Sequence, residues 1–249
     1  MPKCRQSICA TKIASNFRSC AKIKYEVSYS LYQTETVELI IEGILIKILH
    51  ITNVDDLYNL LIAKGETHED VQDERIPYWA ELWPAAIGLS KYLIEFDIIK
   101  NKEEVIEIGC GLGLPGIIAG KLGARVTLTD YLEEALIFTK QNWQLNNQAA
   151  ARFEIMDWRQ PNPDFAADLV LASDICYEKR FFEFLPNAFR TLCKPGGSII
   201  ISDPSREIAQ DFFQNITKEG FKVNKISYDI QPILGGRTVA VNVYHLQPM

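Results

Sequence analysis

The sequence predicts an α/β fold, a doubly wound and mostly parallel sheet with helices on both faces. From residue 105 onward, short apolar runs alternate with stretches of helical periodicity, the pattern of strand–helix–strand crossovers. A glycine-rich loop leaves the first of these runs and opens into a helix. The last two apolar runs have Gly235-Gly236 but no helix between them, which predicts one antiparallel strand near the C-terminal end.

The elements follow in order. Residues 1–24 lack periodicity and are rich in Ser, Cys, Lys and Arg. That composition suits a disordered tail or, being basic and acid-free, a targeting segment; a start site placed too far upstream reads the same way. Residues 37–41 and 44–49, separated by Glu42-Gly43, predict a β-hairpin. Asp55 or Asp56 is expected to cap a short helix running through Ile62. Residues 25–75 therefore read as a small N-terminal extension and 76–249 as the main domain. A helix is expected over 85–96, with Ile87, Leu89, Tyr92, Leu93 and Phe96 at helical spacing. Strands are expected at 105–108, 126–129, 153–156, 169–172, 198–202, 221–228 and 239–245. Helices are expected at 114–122, 132–145, 181–193 and 206–219.

Composition narrows the function. The longest apolar run, 39–49, is broken by Glu42 and Lys47 and is too short and too charged to cross a bilayer. No apolar h-region with a small-residue cleavage site is evident, so a cytoplasmic protein is expected, or an organelle-targeted one if residues 1–24 are a transit peptide. The first 25 residues hold six basic side chains and no acid, which leaves a net charge of −12 on the remainder. Such a surface repels a phosphate backbone, which argues against nucleic acid as substrate. The six cysteines form no C-x-x-C pair and share no ligand spacing with the three histidines, so no metal site is expected.

The run Glu107-Ile108-Gly109-Cys110-Gly111-Leu112-Gly113-Leu114-Pro115-Gly116 carries the strongest signal. Glycines permit positive φ and let a ligand lie against the main chain. Pro115 suits a first helical turn, where its missing N–H is not needed. The loop satisfies two patterns. Gly111, Gly113 and Gly116 fit the dinucleotide fingerprint, whereas Glu107, Gly109, Gly111 and Gly113 fit the methyltransferase form, an acid followed by alternating glycines. Asp130, at the end of the second core strand, fits both, because a carboxylate there can accept from both ribose hydroxyls. Loop and acid together point to an adenosine cofactor without choosing which.

Three features favour methyl transfer. Asp157-Trp158 follows the third strand, where an acid can accept from an adenine amino group and an indole can pack on the ring. The fourth strand ends in Ser173-Asp174-Ile175-Cys176-Tyr177, which sets Asp174 and Tyr177 at the carboxyl edge of the sheet. Taken alone, Trp158 could be core and Asp174 a helix cap. Lys194-Pro195-Gly196-Gly197 reads as a turn before the fifth strand, common in class I methyltransferases.

In combination these residues resemble the seven-β-strand, Rossmann-like protein-lysine methyltransferases of methyltransferase-like family 16, over about residues 76–245. The resemblance implies S-adenosylmethionine as cofactor and a lysine-bearing protein as substrate. It also implies roles. Trp83 matches a Trp that contacts the cofactor; Glu107, Gly109, Cys110, Gly111 and Gly113 match the cofactor loop. Asp130 is similar to the ribose acid, Trp158 to the Trp after the third strand, and Ser173 to a small cofactor-lining residue that is usually Ala. Asp174 and Tyr177 are similar to a D-x-x-Y signature at the substrate entrance, the expected catalytic pair. Asp203-Pro204-Ser205-Arg206 is similar to an acid-Pro-Gly-Arg segment of bacterial members, with Ser205 in place of Gly.

Three rivals remain. A small-molecule methyltransferase would need a lid that no segment obviously supplies. A nucleic-acid amine methyltransferase would carry two prolines after the fourth strand, which Asp174-Ile175-Cys176-Tyr177 lacks. An NAD-dependent enzyme leaves Trp83, Trp158 and the Asp174/Tyr177 pair unexplained.

Overall fold

A computed structural model describes residues 31–73, 75–233 and 235–249, so the readings placed on residues 1–24 lie outside the described residues. Strands β1 (Thr34–Ile41) and β2 (Ile44–Ile51) form the expected hairpin, in the register Ile41↔Ile44. Glu42 and Gly43 both take positive φ, 44° and 82°, the backbone of a two-residue turn matched to strand twist. Helix α1 (Val54–Ala63) follows, but its N-cap position is Asn53. Asp55 and Asp56 instead occupy its first turn, where negative charge complements the helix dipole. A one-turn helix, α2 (Glu69–Gln72), follows. Next comes α3 (Pro84–Glu95), whose Pro84 sits in the first turn.

The main sheet consists of β3 (Glu104–Ile108), β4 (Arg125–Asp130), β5 (Arg152–Ile155), β6 (Ala167–Ser173), β7 (Cys193–Asp203), β8 (Phe221–Ile230) and β9 (Val239–Pro248). Its order is β5-β4-β3-β6-β7-β9-β8, and β9 alone runs against its neighbours. The seven strands and the single antiparallel member agree with the sequence expectation. Helices α4 (Leu114–Lys121), α5 (Glu133–Asn146), α6 (Leu185–Leu192) and α7 (Glu207–Asn215) complete the wrapping. The order reverses between β3 and β6, the crevice where a doubly wound sheet takes its ligands.

Strand side chains alternate between two cores. Val105, Leu169, Leu171 and Ile200 join the core under α3, α4 and the hairpin. Ile106, Ile108, Val170, Ala172, Ile199 and Ile201 join the one under α6 and α7. Burial on both faces explains why these strands read as continuous apolar runs. The hairpin's β2 edge is held by helix side chains. Asn142 and Asn146 of α5, one turn apart, accept from the Leu49 and Lys47 N–H groups at 2.7 and 2.9 Å. Their amides donate back to the Leu49 and Lys47 carbonyls at 3.2 and 2.6 Å, completing the edge as a neighbouring strand would.

Three boundaries differ from expectation. The helix expected over 181–193 is a 3-10 turn (Lys179–Phe181) followed by α6, with Pro186 in the first turn of α6. Proline lacks the N–H and crowds the carbonyl four residues back, so a helix can begin at it but not pass through it. The helix expected over 206–219 is α7, which ends at Asn215. The turn at 194–197 lies inside β7, where the β6–β7 register jumps from Ala167↔Cys193 to Leu169↔Ser198. Among the described residues, no helix is long and apolar enough to cross a membrane.

Candidate functional site

Main-chain geometry builds the glycine loop. Gly109, Gly111 and Gly113 take φ of +59°, +52° and +81°, a region in which an L side chain is strained. Space is equally restrictive, since a Cβ on Gly109 would lie 2.7 Å from the Trp158 ring and one on Gly113 would lie 2.7 Å from Thr139. The loop is tied from below. Glu107, with no exposed surface, accepts from the Gly116 N–H at 2.8 Å, and its other carboxylate oxygen has no partner among the described residues. Burial pushes the Glu107 carboxyl up to about 8, with the Gly116 bond pulling the other way. Asp130 accepts from Gly111 N–H at 3.0 Å and Leu132 N–H at 3.1 Å. Its carboxyl rises to about 6, chiefly through desolvation.

A cleft of about 250 Å³ opens at the switch point. Of the residues singled out from sequence, Trp83, Gly109, Cys110, Gly111, Gly113, Asp130, Trp158, Ser173, Asp174 and Tyr177 all line it. Glu107 and Asp157 do not. Glu107 lies beneath the loop, and Asp157 faces a smaller neighbouring cavity behind Trp158, bonded to Arg159 at 2.7 Å. Arg159 bonds in turn to Asp73 just after α2 at 2.9 Å, which fastens that segment beside the site. The Trp158 indole N–H is buried without a partner among the described residues.

Asp174 takes φ +58°, left-handed for a non-glycine residue, at the point where β6 ends. Its main-chain N–H donates to the Ser202 carbonyl at 2.8 Å. Tyr177 packs edge-on against Tyr78 and Phe181, each at 5.4 Å between ring centroids. Burial pushes its phenol well above the usual tyrosine range, so it stays neutral at working pH. The Trp83 indole N–H donates to the Tyr78 carbonyl at 2.8 Å, which locks an aromatic segment, residues 78–83, between α2 and α3.

Sequence reading assigned no role to Tyr78, Glu81, Tyr131, Leu132 or Arg206, all of which line the cleft. Tyr78 and Glu81 belong to the aromatic segment ahead of α3, and Arg206 closed the Asp203 segment. Nothing in their spacing revealed that they line the same cleft as Asp174, or that Arg206 meets its carboxylate.

The lysine methyltransferase family profile matches residues 67–219, a span that takes in the cleft from Ile76 to Arg206. The chain belongs to that family. Protein N-lysine methyltransferase METTL21A of Mus musculus is 32% identical over 157 residues, covering 60% of this chain and 72% of its own length. EEF1A lysine methyltransferase 3 of the same organism is 31% identical over 176 residues, 68% of this chain and 72% of its own. A histone-arginine methyltransferase of Rattus norvegicus, METTL23, is 34% identical over 114 residues, 43% of this chain and 51% of its own. Among solved structures, a TehB-like SAM-dependent methyltransferase of Corynebacterium glutamicum superposes with TM-score 0.50 at 18% identity, covering 77% of this chain and 95% of that one. The glycopeptide N-methyltransferase MtfA superposes with TM-score 0.51 at 13% identity, covering 65% and 90%. These two share the fold of this lysine methyltransferase family member. Its resemblance to methyltransferase-like family 16 and its standing as an enzyme of methyl transfer both follow from the family match.

Proposed function

We propose that this chain transfers the methyl group of S-adenosylmethionine to the ε-amine of a lysine on another protein. The observation that carries the reading is one of placement: Asp174 and Tyr177 face the glycine loop across a single cleft. The donor set fits the cofactor. Asp130 has lone pairs left for ribose hydroxyls after its two main-chain bonds, and the positive-φ glycines leave the main chain bare against a ligand. Leu132 and the Trp158 indole offer apolar walls for a base. The cofactor's sulfonium supplies an electrophilic methyl, so the protein needs neither its own nucleophile nor a metal for this transfer.

The chain's residues then divide the work. The loop and Asp130 hold the nucleoside, and Trp83 and Ser173 border the reacting end. Tyr78 and Tyr177 shape an aromatic passage that orients the acceptor for in-line attack and excludes water. Asp174 orients the amine hydrogens. Glu107 supports the loop through Gly116, and Asp157 holds the turn after β5 through Arg159.

Incubation with methyl-labelled S-adenosylmethionine and cell lysate tests the reading. A labelled band that protease removes, and that yields methyl-lysine on acid hydrolysis, is expected. Label confined to small molecules or nucleic acid would overturn it, as would methyl-arginine as the sole product.

A further inference from the structure

Arg206 covers the catalytic carboxylate. Its Nη1 contacts Asp174 Oδ1 and its Nη2 donates to Oδ2 at 3.2 Å, a two-pronged grip that leaves the Asp174 side chain 8% exposed. The guanidinium is held there by its own backbone. Asp203, 1% exposed at the end of β7, accepts from Arg206 N–H at 2.8 Å and lies 3.6 Å from Nη1. Ser205 makes the connecting turn at φ +60° and donates its hydroxyl to the Ala240 carbonyl at 2.9 Å. A planar fork between two carboxylates is a fixed arrangement, unlike a wandering surface pair.

The acceptor must arrive without a proton, because its lone pair forms the new N–C bond while the C–S pair returns to sulfur. Positive charge then passes from sulfur to the methylated nitrogen, and the acceptor's original proton has already gone to solvent. A bare carboxylate beside a lysine favours the ammonium form, the one with no lone pair. We propose that Arg206 sets the ionisation of the acceptor: by cancelling the charge of Asp174, it lets the lysine sit in the cleft as the free amine while Asp174 still aligns its hydrogens. This inference rests on the lysine reading above.

The other titratable groups facing the pair are Tyr78 and Glu81 from the aromatic segment, Asp130 and Tyr131 at the end of β4, Tyr177 and Glu178 after β6, and Asp203 beneath. Tyr177 and Tyr131 are driven upward by burial and carry no charge at working pH. Glu81 is raised by desolvation, and Asp203 to about 6 by the same cause. None of these is substituted in the variants. Asp203, 3.6 Å from Arg206 Nη1, is the one that loses a charged neighbour in Arg206→Met. Asp174→Asn leaves Arg206 beside Asp203 and so separates its effect from that of Asp174.

The test is the pH dependence of kcat, which reports ionisations in the enzyme–substrate complex. The lysate protein that takes the label is purified and used at saturating concentration, and methyl-lysine is counted from about pH 6 to about pH 10. Arg206→Met should move the midpoint of the ascending limb upward by about one unit or more, while Arg206→Lys keeps it at the wild-type position. Asp174→Asn, which removes the charge from the other side, should move it downward at a lower rate. S-adenosylhomocysteine affinity, measured by calorimetry, should be the same for the Arg206 variants and wild type. An unmoved midpoint in Arg206→Met overturns the proposal whatever the rate does, and so does a lost cofactor affinity, which would make Arg206 a cofactor ligand. If Arg206→Met has no cooperative melt, the Asp174→Asn midpoint decides, and an unmoved one overturns it. Absence of methyl-lysine from the wild-type reaction would remove the lysine reading itself, and this inference with it.

Discussion

Asp130 on β4 and Gly111 in the loop after β3 are joined by a 3.0 Å hydrogen bond from the Gly111 N–H to the Asp130 carboxylate. The acid that faces the cleft therefore also braces the glycine loop beside it. Replacing Asp130 with Ala is expected to remove both functions at once. A hydrogen bond to a charged group is worth about 1.5–3 kcal/mol, so S-adenosylmethionine should bind roughly 10- to 150-fold more weakly. Calorimetry checks this, and unchanged affinity would place the ribose elsewhere.

S-adenosylmethionine or its demethylated product should raise the melting temperature, and NAD should do so much less. At a hundredfold excess over Kd, a ligand that binds only the folded state adds about 2.7 kcal/mol of stability. Equal stabilisation by NAD in a thermal melt would reverse the choice of cofactor.

Glu107 gives a pH signature of the loop. Burial raises its carboxyl from an ordinary 4.5 to about 8, so the folded state holds a proton that the unfolded chain releases. Its contribution to stability is fully present below 4.5 and is lost as pH rises through about 8. Gln cannot ionise but keeps an oxygen for the Gly116 N–H. The melting temperature of Glu107→Gln relative to wild type should therefore rise between about pH 6 and about pH 9. A constant difference across that range would show that Glu107 does not titrate there.

Asp174→Asn should lower turnover by roughly a hundredfold or more, while cofactor affinity changes little. A lysine with a pKa near 10.4 is about one part in a thousand neutral at pH 7.4, a handicap of roughly 4 kcal/mol that the site must offset. The wild-type rate should accordingly rise between about pH 7 and about pH 9. Normal methylation by Asp174→Asn would leave that residue as a strained turn at the end of β6 and nothing more.

The parts that were legible in the sequence share one property: the information is local. The Glu42-Gly43 turn, the alternation of Ile199, Ile200 and Ile201 between two cores, and the loop 109–113 are each specified by residues a few positions apart. Periodicity did carry too far in two places, over 181–193 and over 206–219, where the helix ends at Asn215. The apolar spacing of 181–193 continues across Pro186, although the missing N–H there starts a new helix. The proline is written in the sequence, but apolar periodicity alone does not weigh it.

Sequence by itself determined that a doubly wound sheet would present a glycine loop, Asp130 and an Asp174/Tyr177 pair at one crevice, because strand direction and loop position dictate that edge. Only the tertiary structure decided what surrounds those groups. Asp174 meets Arg206 across 32 positions of chain, and Asn142 meets Leu49 across 93. Asp157 turns to Arg159 behind Trp158, and Glu107 is sealed beneath the loop. Charge compensation and burial depend on distance in space, and distance in space is set only once the layers pack.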